Sequence, residues 1–368
     1  MSKKIIIIFW GHPLFDGRCM NMMNQFLEQK YDVNILGVGS KSETINYKNV
    51  EIELIDSHAL ENSLTKYFKY FKYVKNYILK KDADVIIASD LYSMIPCAQN
   101  KKKHTARIIY DSREIYSQLG GLVKKPLIQK IWSWYEYFYI YKVDKTLVTA
   151  EIDKIYLEKL YKYPNIKVVK NLPGVSFTRN QNHSLKQSLC LNPDVKILLY
   201  QGKFHEGRGI RFTMKCIQNI QKSVLVLIGD GPMKNNYIKE SKKYNMADRL
   251  FFIDVTPYEK LADFSRDAFI GLSIIQPISK SYEHALPNKL FEYAVSGLPV
   301  ICSNLIAMKE MINQYNSGIS IPYNSEYEFK KAYENILLNY DNYILNNEKK
   351  LELLWDNQNQ HLLDIVNE

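Results

Sequence analysis

The residues best suited to chemistry lie in the stretch Tyr200-Gln201-Gly202-Lys203-Phe204-His205-Glu206-Gly207-Arg208-Gly209-Ile210, which leaves an apolar run and enters a helical pattern. Gly202 lets a backbone approach a ligand closely. Lys203 and Arg208 bracket the loop; arginine clamps phosphate oxygens in pairs, while lysine supplies a mobile point charge. The pair suits a phosphate ligand, with a solvated loop carrying two incidental cations as the plainer alternative. A second stretch runs from His284 to Pro299. Pro287 and Asn288 suit a helix start, where free N–H groups and the positive end of the helix dipole attract phosphate. Glu292, one turn in, could accept hydrogen bonds from a ribose diol or serve as an ordinary helix carboxylate.

The elements that must position these groups alternate along the chain. Strands are expected at Lys4–Trp10, Asp32–Val38, Val50–Ile55, Asp84–Ser89, Arg107–Tyr110, Thr146–Thr149 and Lys167–Val169, with helices at 18–29, 60–80, 126–142 and 151–161. Runs apolar on both faces mark a parallel sheet covered by helices. After Asn171-Leu172-Pro173-Gly174 the pattern breaks, and 175–192 reads as a linker. A second series follows, with strands at Lys196–Gln201, Val224–Ile228, Leu250–Ile253, Phe269–Ile275 and Pro299–Ser303. Helices are expected at 209–220, 232–244, 257–265, 288–296, 306–315 and 325–338, and a last one across much of 341–366. The expected architecture is α/β: a first Rossmann-like domain over 1–174, the linker 175–192, a second Rossmann-like domain over 193–340, and a terminal helix in 341–368 packing back on the first. Ligands would bind in a central cleft, beyond the carboxyl ends of the strands.

Composition fits this reading. The 368 residues are 46% hydrophobic and 24% charged, a globular balance that excludes disordered and collagen-like classes. The formal charge of +10 is uneven: residues 1–175 hold 27 basic and 18 acidic groups, the rest 22 and 21. Five scattered cysteines without zinc spacing point to a reducing, cytoplasmic compartment. The apolar run Ile5–Trp10 is too short for a signal-peptide core and reads as the first strand.

Taken together, the segments resemble the retaining GT-B glycosyltransferases of glycosyltransferase family 4. Gly202-Lys203, four residues, then Arg208-Gly209 matches that family's GR-x4-KG signature with the basic residues exchanged. Gly229-Asp230-Gly231-Pro232 matches its GDGP turn, Ala285–Pro299 its donor motif, and Ile109-Tyr110-Asp111-Ser112-Arg113-Glu114 its YDxHE segment. The resemblance implies two Rossmann-like domains facing a cleft, the first for the acceptor and the second for a nucleotide-sugar donor. Lys203 and Arg208 would bind the donor diphosphate and neutralise charge as the sugar–phosphate bond breaks. Glu292 would bind the ribose, and Val255 would lie near the base. Gly202, Asp230, Pro287, Asn288 and Lys289 would complete the donor site, with Gly11 and Gly17 in a loop closing over it. His12, Asp16, Asp111 and Glu114 are the acceptor-side candidates.

Two departures stand out. Eight residues before Glu292 stands His284, where the family's E-x7-E motif has its first glutamate; Glu283 is one position off, and a one-residue bulge would let it serve. Arg113 occupies the place of the family's usual histidine, so neutral histidine chemistry there is excluded, although contact with phosphate or sugar is not.

No cofactor and no metal site is expected. Asp82-Ala83-Asp84 spells a DxD but sits where a helix ends and a strand begins, and the histidines show no ligand spacing. Residues 64–80 read as a basic-aromatic helix with Leu64, Phe68, Phe71, Val74 and Ile78 toward the core. Residues 124–142 and Lys101-Lys102-Lys103 add further basic character. Such surfaces suit peripheral contact with anionic membrane; nucleic acid is not expected, since no recognition module accompanies the charge. The sequence is therefore read as a cytoplasmic, metal-independent hexosyltransferase, using a UDP-sugar by default and a glycan or lipid-linked acceptor, in surface polysaccharide or glycoconjugate assembly. The alternatives are a non-hydrolysing sugar-nucleotide epimerase of the same fold and a non-catalytic sugar-nucleotide or membrane-binding protein.

Overall fold

The computed structural model describes residues 2–61, 65–178, 185–244, 246 and 248–368. They form two compact units, Met1–Lys170 with Gln358–Glu368, and Asn171–Asn357.

In the first unit the chain runs β1 (Lys4–Ile8), α1 (Gly17–Glu28), β2 (Asp32–Gly39), β3 (Glu43–Tyr47), β4 (Val50–Asp56), α2 (Lys66–Lys80), β5 (Val85–Ala88), α3 (Leu91–Gln99), β6 (Arg107–Ser112), α4 (Pro126–Ile140), β7 (Lys145–Val148), α5 (Glu151–Tyr161) and β8 (Ile166–Val168). The strands order as β3-β4-β2-β1-β5-β6-β7-β8. The run Ile5–Ile8 is buried on both faces, as a central parallel strand requires. Two elements escaped the sequence pattern. The edge strand β3, antiparallel to β4, sets only Ile45 and Tyr47 among polar residues, because an edge can face water. The helix α3 carries Pro96, which masks its periodicity, but Asp90 caps it by accepting from Ser93 N–H at 2.7 Å. The core face of α2 also differs from expectation. Phe68 is 74% exposed, and Tyr70 and Tyr77 join Val74 and Ile78 inside; Leu64 lies outside the described residues.

The second unit runs α6 (Leu185–Ser188), β9 (Lys196–Gln201), α7 (Ile210–Gln218), β10 (Ser223–Ile228), α8 (Lys234–Lys243), β11 (Leu250–Ile253), α9 (Leu261–Asp267), β12 (Ile270–Ser273), α10 (Lys280–Glu283), α11 (Asn288–Val295), β13 (Val300–Ser303), α12 (Ile306–Tyr315), β14 (Gly318–Ile321), α13 (Glu326–Leu338) and α14 (Asn347–Glu352). Its sheet is all parallel, in the order β11-β10-β9-β12-β13-β14. The strand β14 escaped the pattern because Gly318 and Ser320 interrupt its apolar residues.

The single helix expected over much of 341–366 is instead broken. A 3-10 turn at Tyr340–Tyr343 and α14 are followed by a 3-10 turn at Trp355–Gln358 and α15 (Asn359–Asn367). Asn346 caps α14 through Lys349 N–H at 2.9 Å, and the buried Trp355 donates its backbone N–H to Pro173 O at 2.8 Å. The cap and this long-range bond divert backbone N–H groups that a continuous helix would use. Within the first unit α15 is fastened by Lys3 Nζ and Arg107 Nη1, which donate to Val366 O at 3.2 and 3.1 Å.

Candidate functional site

In the second unit β9 ends at Gln201, and the loop beyond it is pinned by the fully buried Phe204. Phe204 N–H donates to Asp230 O at 2.8 Å and its carbonyl accepts from Met233 N–H at 3.1 Å. This ties the Lys203–Arg208 loop to the Gly229–Pro232 turn beyond β10. Gly229 has φ +136, and a Cβ there would stand 2.1 Å from Gly202 O, so the two loops meet backbone to backbone. Gly209, at φ +71, precedes α7, where a Cβ would come within 2.5 Å of Ile274 O.

The cations sought in the sequence, Lys203, Arg208 and Lys289, are brought together here. Lys203 is exposed, and the half-buried Arg208 places its guanidinium 4.5 Å from the Tyr282 ring centroid. Lys289, in the first turn of α11, is 8% exposed and sets Nζ 3.6 Å from the Tyr200 ring centroid. Tyr200 is held by its own hydroxyl, which donates to Lys203 O at 2.9 Å. Burial, then the neighbouring Arg208 charge, pushes Lys289 well below the ordinary lysine range, with Glu292 acting in the opposite sense. Burial and the Arg208 and Lys203 charges likewise lower His205. An anion bound here would relieve that mutual repulsion.

Glu292 is buried and accepts a hydrogen bond from Gln201 Nε2, while Gln201 Oε1 accepts from Ser265 Oγ at 3.3 Å. Tyr293 fixes the same strand end, donating its hydroxyl to Leu199 O at 3.2 Å and accepting from Gln201 N–H at 3.0 Å. Pro287 caps α11 in extended backbone, and Asn288 opens the helix. Asp230 and Val255 are exposed on their loops. Glu283 ends α10, half-exposed and ion-paired with Lys280. It sits on a different helix from Glu292, separated by 284–287.

In the first unit the candidates after β1 and β6 are drawn into a buried ionic network. Arg18, wholly buried, reaches Asp111 through Nε at 2.9 Å and Nη2 at 2.7 Å, and donates from Nη1 to Val169 O at 2.7 Å. Arg113 donates from Nε to Asp111 Oδ2 at 3.0 Å, from Nη1 to Asp16 Oδ1 at 2.7 Å and from Nη2 to Cys19 Sγ at 3.3 Å. Its guanidinium also lies 4.6 Å from the Phe9 ring centroid. Burial opposes ionisation of Asp111, yet Arg18 and Arg113 hold its carboxyl below the usual range. Asp16 additionally caps α1 through Cys19 N–H at 2.8 Å, next to Gly17. Geometrically this network welds the start of α1 to the end of β6. His12 stacks edge-on against Phe15 and is lowered by burial; Gly11 packs against the Phe9 ring; Glu114 is exposed.

Sequence reasoning missed Arg18, Tyr200 and Gln201. An arginine two places after a helix-capping aspartate was a usable signal for the first. The other two read only as strand residues. Asp82 and Asp84 serve Lys4, one through its Nζ at 2.8 Å and the other through its N–H at 2.7 Å. Among the described residues no three His, Cys, Asp or Glu side chains gather as a metal site.

The two parallel-sheet units define the chain's class: it has the GT-B fold. Over 99% of its length it superimposes on sucrose-phosphate synthase from Thermosynechococcus elongatus with a TM-score of 0.81, at 16% identity and 98% coverage of that chain. Anabaena HepE in complex with UDP and glucose gives 0.75 at 11% identity, with 99% of each chain covered. The E. coli trehalose-6-phosphate structure bound with UDP-2-fluoro glucose gives 0.70 at 10%, again with 99% of each covered. The more particular identification is of a domain: residues 195–339 match the family described as glycosyl transferases group 1. No curated protein matches the sequence.

Proposed function

We propose that the protein is a retaining glycosyltransferase that moves a sugar from a nucleoside-diphosphate sugar, a UDP-sugar by preference, to a hydroxyl of a glycan or lipid-linked acceptor. The observation that carries this reading is the cluster of Lys203, Arg208 and Lys289 at the carboxyl end of β9 and the start of α11. It lies within the segment that matches the glycosyl transferase family. The diphosphate would sit against these cations and the free N–H groups of α11, with Glu292 turned by Gln201 to receive the ribose. Two of the similar folds are described with UDP or a UDP-sugar, which favours that donor.

As the bond from C1 to the diphosphate breaks, negative charge grows on the leaving phosphate, where preorganised cations stabilise it most. The acceptor oxygen bonds to C1 on the same face, and its proton passes to the departing phosphate oxygen. Acceptor choice is assigned to the first unit, in surface polysaccharide or related glycoconjugate assembly.

The test is calorimetric titration with UDP, GDP, UDP-glucose, UDP-N-acetylglucosamine and GDP-mannose against wild type, Lys203→Ala and Glu292→Gln. One nucleotide series should bind to the wild type and weaken in both variants, with circular dichroism unchanged. Absence of binding to any nucleotide, or equal binding by both variants, overturns the donor site. Binding of a donor without transfer or slow hydrolysis, across plausible acceptors, would instead favour a sugar-nucleotide-binding protein.

A further inference from the structure

Helix α4 is apolar on both of its faces. Inward it buries Trp132, Tyr139 and Ile140. Outward, Leu127, Ile131, Trp134, Phe138 and Tyr141 follow the four-three spacing of a single helix face, and each is 46% to 75% exposed. A surface helix normally turns polar groups to water, and an apolar face of this size marks an interaction site. Basic groups border it: Lys124, Lys125, Lys130 and Lys142 are all exposed, and Lys142 Nζ lies 4.1 Å from the Phe138 ring centroid. Over 120–143 the single carboxylate is Glu136, wholly buried on the opposite face between the Tyr110 and Tyr161 hydroxyls.

The same side of the sheet carries more positive charge. Helices α2, α3 and α4 share one core, and Tyr67 of α2 packs against Trp132 of α4 at 4.7 Å between centroids. Helix α2 exposes Lys69, Lys72, Lys75 and Lys80, and no acidic residue occurs between 65 and 81.

We propose that the outer face of α4, flanked by these lysines, docks the first unit onto an anionic lipid bilayer. Aromatic and aliphatic side chains would enter the headgroup–acyl boundary while the lysine ammonium groups meet lipid phosphates. Among the described residues no helix is long and apolar enough to cross a membrane, so α4 would lie in the interface plane. Charge decides against a second copy as the occupant: self-pairing of this face would set lysines against lysines with no carboxylate between. The inference is independent of donor binding and goes beyond the reaction itself.

The test is flotation of the full chain with vesicles of phosphatidylcholine alone and of phosphatidylcholine mixed with phosphatidylglycerol. Wild type, Ile131→Ser/Phe138→Ser and Lys124→Glu/Lys125→Glu/Lys130→Glu are compared, with UDP titration and circular dichroism as controls. Wild type should float only with the anionic vesicles, and either variant should lose about tenfold or more in partitioning without change in the controls. Trp134 should report insertion by quenching from brominated lipid, lost in Trp134→Phe. The proposal is overturned if wild type ignores anionic vesicles at low salt or the variants float equally well. It is also overturned if wild type sediments as a dimer that the serine variant converts to monomer without any vesicle binding.

Discussion

Both units place arginine or lysine just past the carboxyl end of a parallel strand, and they use the charge in opposite ways. Beyond β1 and β6 in the first unit, Arg18 and Arg113 are met by Asp111 and Asp16, so donors and acceptors are consumed inside the protein. In the second, Arg208 beyond β9 and Lys289 at the start of α11 rest on the faces of Tyr282 and Tyr200. An aromatic face offsets part of a cation's charge without a carboxylate counter-charge. The first arrangement is closed and holds the fold; the second sets Arg208 and Lys289 against ring faces, with Lys203 exposed nearby. Charge at a strand end is therefore not by itself a sign of a binding site, and what the charge faces decides the matter.

Breaking the closed network should have the largest effect. Asp111→Asn leaves two arginines, one wholly buried, without their shared counter-charge, and such losses cost about 3–5 kcal/mol. Urea unfolding of this variant should show that loss, whereas a drop below about 1 kcal/mol would mean the network is not what fixes α1. Opening the second arrangement should spare stability and damage function. Lys203→Ala and Arg208→Ala are each expected to slow sugar transfer by roughly 10²–10³, or about 2.7–4 kcal/mol. Melting temperatures close to wild type would complete the contrast, and a transfer rate that survives either substitution would remove that cation from the reaction.

How much of this was readable follows the same division. Gly202, Lys203 and Arg208 could be picked out because a loop leaving a buried strand, with spaced cations, is a local pattern, and Glu292 because it follows a Pro-Asn helix start by one turn. The quenching of Arg113 was hidden, since its partners Asp16 and Cys19 lie on another element and only the fold brings them close. The alternation of strands and helices was legible from apolar runs, except where an edge let β3 be mostly polar or Pro96 disguised α3. The exposed stripe of α4 was half legible: its basic-aromatic composition was plain, but which face it buried depended on Glu136 and Trp132 turning inward.

Glu136 supplies a third case, a buried carboxylate whose partners are neutral. Burial pushes its carboxyl up to about 7, against the hydrogen bonds donated by Tyr110 and Tyr161. The folded protein thus keeps this proton to near pH 7, while the unfolded chain releases it near the ordinary glutamate value. Between those limits the unfolded state holds fewer protons, so this residue costs stability as pH rises through the window. Glu136→Gln should match wild type near pH 4.5 and exceed it above pH 7 by about 1–3 kcal/mol. A gain independent of pH would show that packing rather than charge is responsible.

The smallest expected effect is the most specific to the second cluster. In the ligand-free protein, burial and Arg208 disfavour the Lys289 ammonium. A diphosphate placed beside it reverses the balance, because an opposite charge at close range favours the protonated form. Nucleotide binding should therefore draw a proton from solution, up to one per site, at a pH below the ordinary lysine range. Calorimetric titration of UDP in buffers of different ionisation enthalpy reads this directly as a buffer-dependent heat. Lys289→Met should abolish the buffer dependence while retaining measurable binding through Lys203 and Arg208. Buffer-independent heats in the wild type would mean that Lys289 keeps one protonation state throughout. It would then belong with the closed network of the first unit, as a charge spent on the fold rather than held for a ligand.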